Sequence, residues 1–587
     1  MAFAYSPAAL SQLLGRTMRT SKKNNILTTL LIAGVMITTA AMPGVVQANV
    51  DKVDVIVVYD KNPGAAQDHR LNSNGASIKR AYKILPMRAI SVPEHALAKI
   101  ANGKGVRFVA KDSAISSQAY LVENPMLPPV DVENGNSGLL TANVPQINGT
   151  KLQAIGTAGI AVIDSGIAVH PDLNVATRYT CLISAFDGKY AKETACVDTA
   201  EMGSAAPNQD GFGHGTHVAG VATGDGSVYY GKYRGVSDQL PVHSFQVLDG
   251  FGQGQVSDVI AALDWILANG ASTNIRVVNM SLGKGIEESA STDPLVLAVE
   301  QVWDAGYVVV ASAGNYGLHG NFTITSPGNS RKIITVGSLT DTGTGTDFTD
   351  DYISTYSSMG PTLVDHVLKP DLVAPGNRYI ASIASDSYLR KLLGLLADQC
   401  SSTCKSSYLE LSGTSMAAAM TSGAAAMMLS LDPTLTPATV KARLMRSARK
   451  IEGDATATGT GVLDVTAALS ETGVVEGQAL SPLMARSDEG SVILVEDTAA
   501  LWGAEEWSAG YLWANGYLWA NSFAEADGYL WADGYLWANG YLWANGYLWA
   551  NGYLWANGYL WANGYLWANH VGAGDEGAAS NFVLISD

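Results

Sequence analysis

Short apolar runs alternate with helix-length segments between about residues 150 and 470 of this chain. Runs of four or five apolar residues are typical of strands whose two faces are both covered. We therefore predict an α/β domain over residues 150–470, with three layers built on a parallel sheet. The clearest strand patterns are 160–163, 277–280, 307–311 and 333–336.

A smaller unit precedes this domain. Extended patterns occupy residues 53–59, 83–90 and 106–110, and helical patterns occupy 76–82 and 93–101. The order strand, helix, strand, strand, helix, strand predicts a small α+β domain within residues 49–122. Residues 123–149 contain Gly and Pro, and we interpret them as a linker that contains a processing point.

The C-terminal pattern is a six-residue repeat. Gly-Tyr-Leu-Trp-Ala, followed by Asn or Asp, occurs nine times between residues 510 and 569, and residues 522–527 are a degenerate copy. Asn-Gly between short apolar runs is a strong hairpin signal, so we predict a β-rich tail made of a meander of four-residue strands. A linker at 471–509 precedes the repeats, and a tail at 570–587 follows them.

Both faces of such repeat strands would be apolar. Exposed apolar sheets of this kind associate with themselves, pack on a neighbouring domain or bind an external ligand. The pattern leaves three interpretations open, which are self-association or packing, binding to a polymer or cell-surface ligand, and disorder.

The first 48 residues have the order of parts of a secretory signal peptide. Basic residues precede the apolar run 26–41, and small residues then end at Ala48, where we expect cleavage. A membrane anchor is the alternative, but the run is short and contains four threonines. We predict a secreted protein, extracellular or passing through a periplasm. The net charge of −17 argues against a nucleic-acid partner.

Four cysteines occur in the chain, and none of them has the spacing of a metal site. An even number of cysteines in an exported chain indicates two disulfides, for which three connectivities exist. We expect the local pairs Cys181–Cys196 and Cys400–Cys404.

Three glycine-containing segments carry candidate catalytic side chains. Asp164 ends a strand pattern, His214 opens a helix of small residues, and Ser415 opens an uncharged helical run. A serine hydroxyl needs a contacting base to become a nucleophile, and the base needs an acceptor on its other nitrogen. Taken singly, Ser415 could be an ordinary helix cap and His214 an ordinary helix-start residue.

A zinc site is the other chemistry that this histidine segment suggests. His214 and His217 are three residues apart, but the glutamate of a His-Glu-x-x-His motif is missing. We therefore assign no metal ligand.

The three segments together resemble the signature blocks of the subtilisin-like serine proteases. The matching segments are Val-Ile-Asp-Ser-Gly at 162–166, His-Gly-Thr-His-Val-Ala-Gly at 214–220 and Gly-Thr-Ser-Met-Ala at 413–417. Their order along the chain, Asp then His then Ser, is the order known for subtilisin. The resemblance implies that Ser415 is the nucleophile, His214 the general base and then acid, and Asp164 the residue that orients His214. It gives His217 a structural role.

The same resemblance implies the rest of the site. Asn315 matches the residue whose amide stabilises the oxyanion together with the backbone N–H of the serine. The remaining candidates resemble the edge strand and pocket wall that bind substrate, and they are Ser281, Leu282, Gly283 and Gly314. Because none of these wall positions is charged, we expect an apolar substrate side chain in the pocket.

The resemblance also implies a ferredoxin-like propeptide at 49–122 that assists folding and inhibits the enzyme until it is removed. Two departures stand out. Ala419 and Met420 replace the Pro and His usual in the family, which should make the helix more regular. The block at 170–173 often serves a calcium site, but residues 225–230 do not resemble its partner loop. A structural calcium is therefore left unassigned, and catalysis needs no cofactor.

The sequence thus predicts a secreted serine endopeptidase, synthesised as an inactive zymogen, that cleaves protein or peptide substrates through an acyl-enzyme. The rival hypothesis is a surface or matrix protein that binds through its Trp-rich repeats and uses an inactive protease domain as a scaffold.

Overall fold

The computed structural model describes residues 52–118, 157–182, 196–202, 209–231, 233–341, 350–393, 407–449, 451, 454–486, 492–496 and 498, and the backbone of strands between 511 and 573. The predicted signal peptide, the linker at 123–149 and the Cys400–Cys404 pair lie outside these residues.

Residues 52–111 form an antiparallel sheet of four strands with two helices and a core of their own. The elements are β1 (Lys52–Tyr59), α1 (Ala65–Ser73), β2 (Ser77–Ala81), β3 (Met87–Pro93), α2 (Leu97–Ala101) and β4 (Val106–Lys111). The strand order is β2-β3-β1-β4. A fifth strand, β5 (Ala114–Ser117), leaves this sheet and pairs with the next domain.

The predicted sequence of strands and helices is observed, but the helix expected at 76–82 is wrong. That segment is strand β2, and the helix lies earlier, at Ala65–Ser73. Only Leu71 of this helix is buried, so the helix has almost no apolar periodicity to detect. Pairing of Ile78 with Ile90 of β3 holds the 77–81 segment extended.

The larger domain is built on a mixed sheet. Along the chain, helices alternate with the strands of this sheet. Its strands are β6 (Gly159–Asp164), β7 (Val175–Thr180), β8 (Val197–Asp198), β9 (Val242–Gln246), β10 (Gln253–Gln255), β11 (Ile275–Met280), β12 (Leu282–Gly283), β13 (Val308–Ser312), β14 (Ile334–Thr340), β15 (Tyr352–Ile353), β16 (Leu372–Pro375), β17 (Tyr379–Ser382), β18 (Tyr408–Leu411), β19 (Leu483–Arg486) and β20 (Val492–Glu496). Its helices are α3 (Thr199–Met202), α4 (His214–Thr223), α5 (Val256–Asn269), α6 (Pro294–Asp304), α7 (Tyr388–Leu393), α8 (Thr414–Leu431), α9 (Pro437–Arg446), α10 (Ala455–Thr458) and α11 (Val465–Ser470).

Seven strands of this sheet are parallel, as the apolar runs predicted. The order is β15-β14-β13-β11-β6-β9-β7-β8, and β16 lies beside β14. The sheet differs from the prediction at β8 and β15, which are antiparallel to their neighbours. Each of these strands has two residues, which is too short to leave a recognisable pattern.

Helix α8 packs across β11, β13 and β14 and forms the centre of the core. In the described part of the chain it is the one helix long and apolar enough to cross a membrane, and 89% of it is buried inside the domain. It is a core helix. The Cys181–Cys196 disulfide, which joins the end of β7 to the start of β8, is present as predicted.

The repeat segment forms strands β21 (Tyr511–Ala514), β22 (Tyr517–Ala520), β23 (Phe523–Ala526), β24 (Tyr529–Ala532), β25 (Tyr535–Ala538), β26 (Tyr541–Ala544), β27 (Tyr547–Ala556), β28 (Leu560–Ala562) and β29 (Leu566–Ala573). The predicted hairpin meander is wrong, because these strands pair in parallel with the strand three repeats later. Tyr511 lies opposite Tyr529, and Tyr529 opposite Tyr547. Three repeats, or 18 residues, therefore make one full turn of the chain, and identical residues of successive turns lie opposite each other.

Candidate active site

The carboxyl ends of the central parallel strands bring the predicted site residues to one edge of the sheet. Asp164 is the last residue of β6, Ser281 follows β11, and Asn315 lies three residues after β13. Helices α4 and α8 begin at the same edge with His214 and Thr414. Ligands of open α/β sheets bind at such an edge.

Asp164 and His214 form a buried hydrogen-bonded pair. His214 Nδ1 lies 2.8 Å from Asp164 Oδ1 and 2.9 Å from Oδ2, and both side chains are fully buried. Asp164 Oδ1 also accepts a hydrogen bond of 2.7 Å from the Ser165 N–H. The carboxylate therefore fixes the proton of His214 on Nδ1, which leaves Nε2 free to accept a proton.

Asp210 connects the two segments that carry this pair. Its carboxylate accepts hydrogen bonds from Ser165 Oγ at 2.8 Å, Gly213 N at 2.7 Å and Thr216 N at 2.8 Å. Burial raises the pKa of Asp210 to about 6, although these hydrogen bonds act in the opposite direction. The sequence analysis assigned no role to Asp210. Its position just before the histidine segment is the feature that could have indicated one.

Gly215 allows the start of α4 to approach β6. A Cβ atom at this position would lie 2.1 Å from Gly166 O and 3.2 Å from Asp164 Cβ. A real Cβ atom does not approach a backbone oxygen to 2.1 Å, so only glycine fits between the segments that carry Asp164 and His214.

Ser415, in the first turn of α8, contacts a residue from the N-terminal domain. Its Oγ donates a hydrogen bond of 2.6 Å to the Gln118 carbonyl oxygen and lies 3.3 Å from Ser281 O. His214 Nε2 is buried and has no hydrogen-bond partner among the described residues. The serine hydroxyl is thus turned toward the Gln118 carbonyl instead of toward the imidazole.

Asn315 binds the same carbonyl oxygen. Its Nδ2 donates to Gln118 O at 2.6 Å, and its Oδ1 accepts from Thr414 N at 3.0 Å and from Thr414 Oγ1 at 3.1 Å. The two bonds from Thr414 settle which end of the amide faces the carbonyl. Thr414 is a positioning residue that sequence reasoning missed.

The segment before Gln118 fills the cleft as a substrate chain would. Strand β5 pairs antiparallel with β10 on one side and with β12 on the other. The Gln118 N–H donates to Ser281 O at 3.1 Å, which continues the ladder to the site. Leu282 and Gly283, which form β12, and Ser281 before it therefore lie along this segment. The opposite strand, β10, was not among the predicted site residues.

The Gln118 side chain occupies a pocket beside Gly283. It is only 3% exposed, and its Nε2 has no partner among the described residues. A Cβ atom on Gly283 would lie 3.1 Å from Gln118 Nε2 and 2.6 Å from Thr325 Oγ1. The pocket expected to take an apolar side chain therefore holds an amide here.

His217 lies on the buried face of α4, away from the reacting atoms. Its Nε2 contacts the carbonyl oxygens of Leu409 at 2.9 Å and Tyr379 at 3.1 Å, which ties α4 to β17 and β18. Burial lowers the pKa of His217 to about 3 from the ordinary 6.5. The imidazole is therefore neutral when the protein is folded at neutral pH.

The lowered pKa of His217 predicts that the folded protein loses stability in acid. Between pH 6.5 and about 3 the unfolded chain binds a proton at His217 that the folded chain does not, so stability is full above pH 6.5 and falls as the pH drops. This residue contributes a slope of up to about 1.4 kcal/mol per pH unit in that window. In denaturant titrations of the Ser415→Ala protein, adding His217→Gln should flatten the slope. Replacing the exposed His69 by Gln serves as the control, and an unchanged slope in the His217 variant would contradict the assignment.

The segment that suggested calcium does not fit that ion. The Asp172 carboxylate accepts hydrogen bonds from Ser227 Oγ, Val228 N, Ser382 Oγ and the Tyr408 hydroxyl. Protein donors thus occupy both of its oxygens. Among the described residues no group of three or more His, Cys, Asp or Glu side chains could hold a metal.

Comparisons with known proteins agree with this geometry. Residues 157–465 match the subtilase family of S8 peptidases. The chain is 36% identical over 309 residues to the serine protease AprX of Bacillus subtilis, which covers 52% of this chain and 63% of AprX. It is 29% identical over 405 residues to subtilisin E of the same species, covering 68% of this chain and 84% of the relative.

The fold has a solved counterpart. Fervidolysin from Fervidobacterium pennivorans, described as a keratinolytic enzyme related to subtilisin, superposes with a TM-score of 0.53 at 19% identity. The superposition covers 76% of this chain and 65% of fervidolysin. With 63% of AprX and 65% of fervidolysin matched, the chain spans just under two thirds of each of these two relatives. Because the family match covers more than half of the residues, the chain belongs to the subtilase family of serine peptidases.

Proposed function

We propose that the chain is a secreted serine endopeptidase that hydrolyses peptide bonds through an acyl-enzyme formed on Ser415. One observation carries the proposal. Asn315 Nδ2 and Ser415 Oγ both lie 2.6 Å from the carbonyl oxygen of Gln118, at the end of a strand that fills the cleft. The peptide carbonyl group thus lies beside both the nucleophile and the fixed amide donor that acyl transfer uses. Attack also requires the Ser415 hydroxyl to rotate from the Gln118 oxygen toward His214 Nε2.

The residues have distinct roles in this mechanism. Ser415 Oγ attacks the carbonyl carbon while His214 Nε2 takes its proton, and Asp164 stabilises the imidazolium that forms. Asn315 donates to the oxyanion of the tetrahedral intermediate. His214 then returns the proton to the leaving amine, which departs as the acyl-enzyme forms. Water, deprotonated by the same imidazole, hydrolyses the ester and frees Ser415.

The same contacts support inhibition by the protein's own N-terminal domain. We propose that residues 52–118 are the inhibitory part of the propeptide and that the first bond cut is Gln118–Ala119. After that cut the new carboxylate of Gln118 keeps the position of a bound product. The predicted processing segment, 123–149, lies outside the described residues, so further cuts there remain a prediction.

A second contact area supports the propeptide assignment. The N–H groups of Lys83, Ile84 and Leu85 each donate to the Asp264 carboxylate, at 2.7 to 2.8 Å. Nearby, Arg80 forms a buried ion pair with Asp258 and also donates to the Cys181 carbonyl. These contacts fasten the N-terminal domain to α5 and to the end of β7.

Removing the Arg80 charge should release the propeptide. Arg80 is fully buried, and breaking a buried ion pair by removing one partner costs about 3–5 kcal/mol, so Arg80→Met should weaken retention at least 100-fold. The neighbouring Lys79 pairs with Asp54 at the surface, where an ion pair contributes little. In gel filtration of the processed protein, wild type and Lys79→Met should keep the propeptide bound and Arg80→Met should lose it. Retention by all three proteins would contradict the role of this pair.

Hydrolysis of an unfolded protein substrate tests the proposed activity, with Ser415→Ala as the control. The test uses the self-processed chain freed of its propeptide by the Arg80→Met substitution. Mass spectrometry of the released fragment tests the bond, since its C-terminus should be Gln118. Secretion rests on the predicted signal peptide and on relatives such as the extracellular serine proteinase of a Thermus species, 31% identical over 379 residues. The rival hypothesis of an inactive scaffold is not favoured by the family match, and an external ligand for the repeats stays a prediction.

A further inference from the structure

The pocket that holds Gln118 contains a hydroxyl as well as glycine walls. Thr325 is 2% exposed, and its Oγ1 lies on the same side of Gly283 as Gln118 Nε2. Gly314 also faces it, since a Cβ atom there would lie 2.8 Å from Thr325 Cγ2. A second hydroxyl lies near Gly314, where a Cβ atom would be 2.7 Å from Ser358 Oγ. Ser358 Oγ already accepts a hydrogen bond from the Tyr316 N–H, and Thr325 Oγ1 is the hydroxyl that also lies beside Gly283.

The orientation of this hydroxyl makes it an acceptor. Thr325 Oγ1 donates its proton to the Ala313 carbonyl at 3.2 Å, and its backbone N–H donates to the same oxygen at 2.9 Å. The lone pairs of Oγ1 receive no hydrogen bond from any described residue. A hydroxyl held in this way can accept from an amide N–H but has no proton to give to a carboxylate.

The buried amide of Gln118 needs such an acceptor. Its Nε2 is buried without a partner among the described residues, and leaving an amide unpaired in a closed pocket is unfavourable. Rotation about the last side-chain bond turns the Nε2 hydrogens without moving the chain in the cleft. The available acceptor and the unpaired donor therefore lie in one pocket.

We propose that this pocket selects glutamine immediately before the cleaved bond, with Thr325 Oγ1 accepting from the side-chain amide. The inference rests on the proposed function and names its substrate class: chains that end in a sequence like Ile-Ser-Ser-Gln before the bond. Methionine has a similar length but leaves the acceptor unpaired. Glutamate would bring a charge into a pocket where Gln118 is almost completely buried.

The experiment uses the self-processed chain, freed of its bound propeptide by the Arg80→Met substitution, and three fluorogenic substrates, Ile-Ser-Ser-X-aminomethylcoumarin with Gln, Met or Glu as X. The ratio of kcat/KM should favour Gln over Met by about tenfold, as expected for one buried hydrogen bond, and over Glu by on the order of 100-fold. Thr325→Val keeps the shape and removes the acceptor, so the preference for Gln over Met should disappear. Thr325→Ser restores the hydroxyl and should restore the preference.

The outcomes separate the two proposals. A processed protein that neither hydrolyses substrates nor reacts at Ser415 overturns the proposed function, and this inference with it. An active protein that prefers Met to Gln overturns this inference alone. A Thr325→Val protein that retains the preference for Gln also overturns this inference alone. If neither Thr325 variant folds, the wild-type ratios decide.

Discussion

Replacing Ser415 by alanine is expected to abolish both peptide hydrolysis and self-processing. The Oγ atom lies 2.6 Å from the carbonyl oxygen of Gln118, and no other hydroxyl of the described residues donates to that oxygen. Loss of the nucleophile from a subtilisin lowers kcat by about a million-fold. The fold should persist, because among the described residues Ser415 Oγ bonds only to Gln118 O and Ser281 O.

The measurement is the size of the accumulated protein together with its kcat on a peptide substrate. Ser415→Ala should accumulate as the uncut precursor, and the wild type as two fragments that separate under denaturing conditions. Ser422→Ala is a matched control on the same helix, where the hydroxyl donates to Asn279 Oδ1 and does not touch Gln118. Efficient cutting at Gln118–Ala119 by Ser415→Ala would show that another group, or another protease, does the processing.

Replacing Asp164 by asparagine is expected to lower kcat by about 10⁴-fold with little change in KM. The carboxylate holds His214 with its proton on Nδ1, at 2.8 Å. An amide in its place can donate to Nδ1, which moves the proton to Nε2, where it blocks the transfer from Ser415. Strands β10 and β12, which pair with β5, do not contain Asp164, so we expect binding to survive.

Steady-state kinetics with the same peptide substrate measure this effect. Asp432→Asn, at the exposed end of α8, is the matched control and should stay within about twofold of the wild type, as surface substitutions usually do. An Asp164→Asn protein with more than a tenth of the wild-type kcat would argue against the assigned role.

The triad candidates could be predicted from the sequence because each lies in a short contiguous segment with a fixed local setting. Asp164 ends an apolar strand, and His214 and Ser415 each begin a helix next to glycine. The strand-end position then brings them to one edge of the sheet. The apolar runs also predicted four of the seven parallel strands, β6, β11, β13 and β14, but not the two-residue antiparallel strands at the edges.

Features that depend on contacts between distant segments could not be predicted. Nothing in the local pattern marks Gln118 as the residue bound between Ser415 and Asn315, since its position depends on how the N-terminal domain docks. Thr325 was missed for the same reason. In the repeats, the Asn-Gly signal predicted adjacent antiparallel partners, but the strands pair in parallel with a strand 18 residues away. That choice depends on stacking along the whole repeat segment.

Fluorophosphonate labelling tests the central claim most directly. Such a probe reacts with a serine that an adjacent base activates, so the label reports the assembled nucleophile, base and oxyanion site together. In the self-processed protein freed of its propeptide by Arg80→Met, peptide mapping should find the label on Ser415, and the Ser415→Ala protein should remain unlabelled. A correctly folded, processed and propeptide-free protein that takes up no label, or takes it up on another residue, would contradict the account.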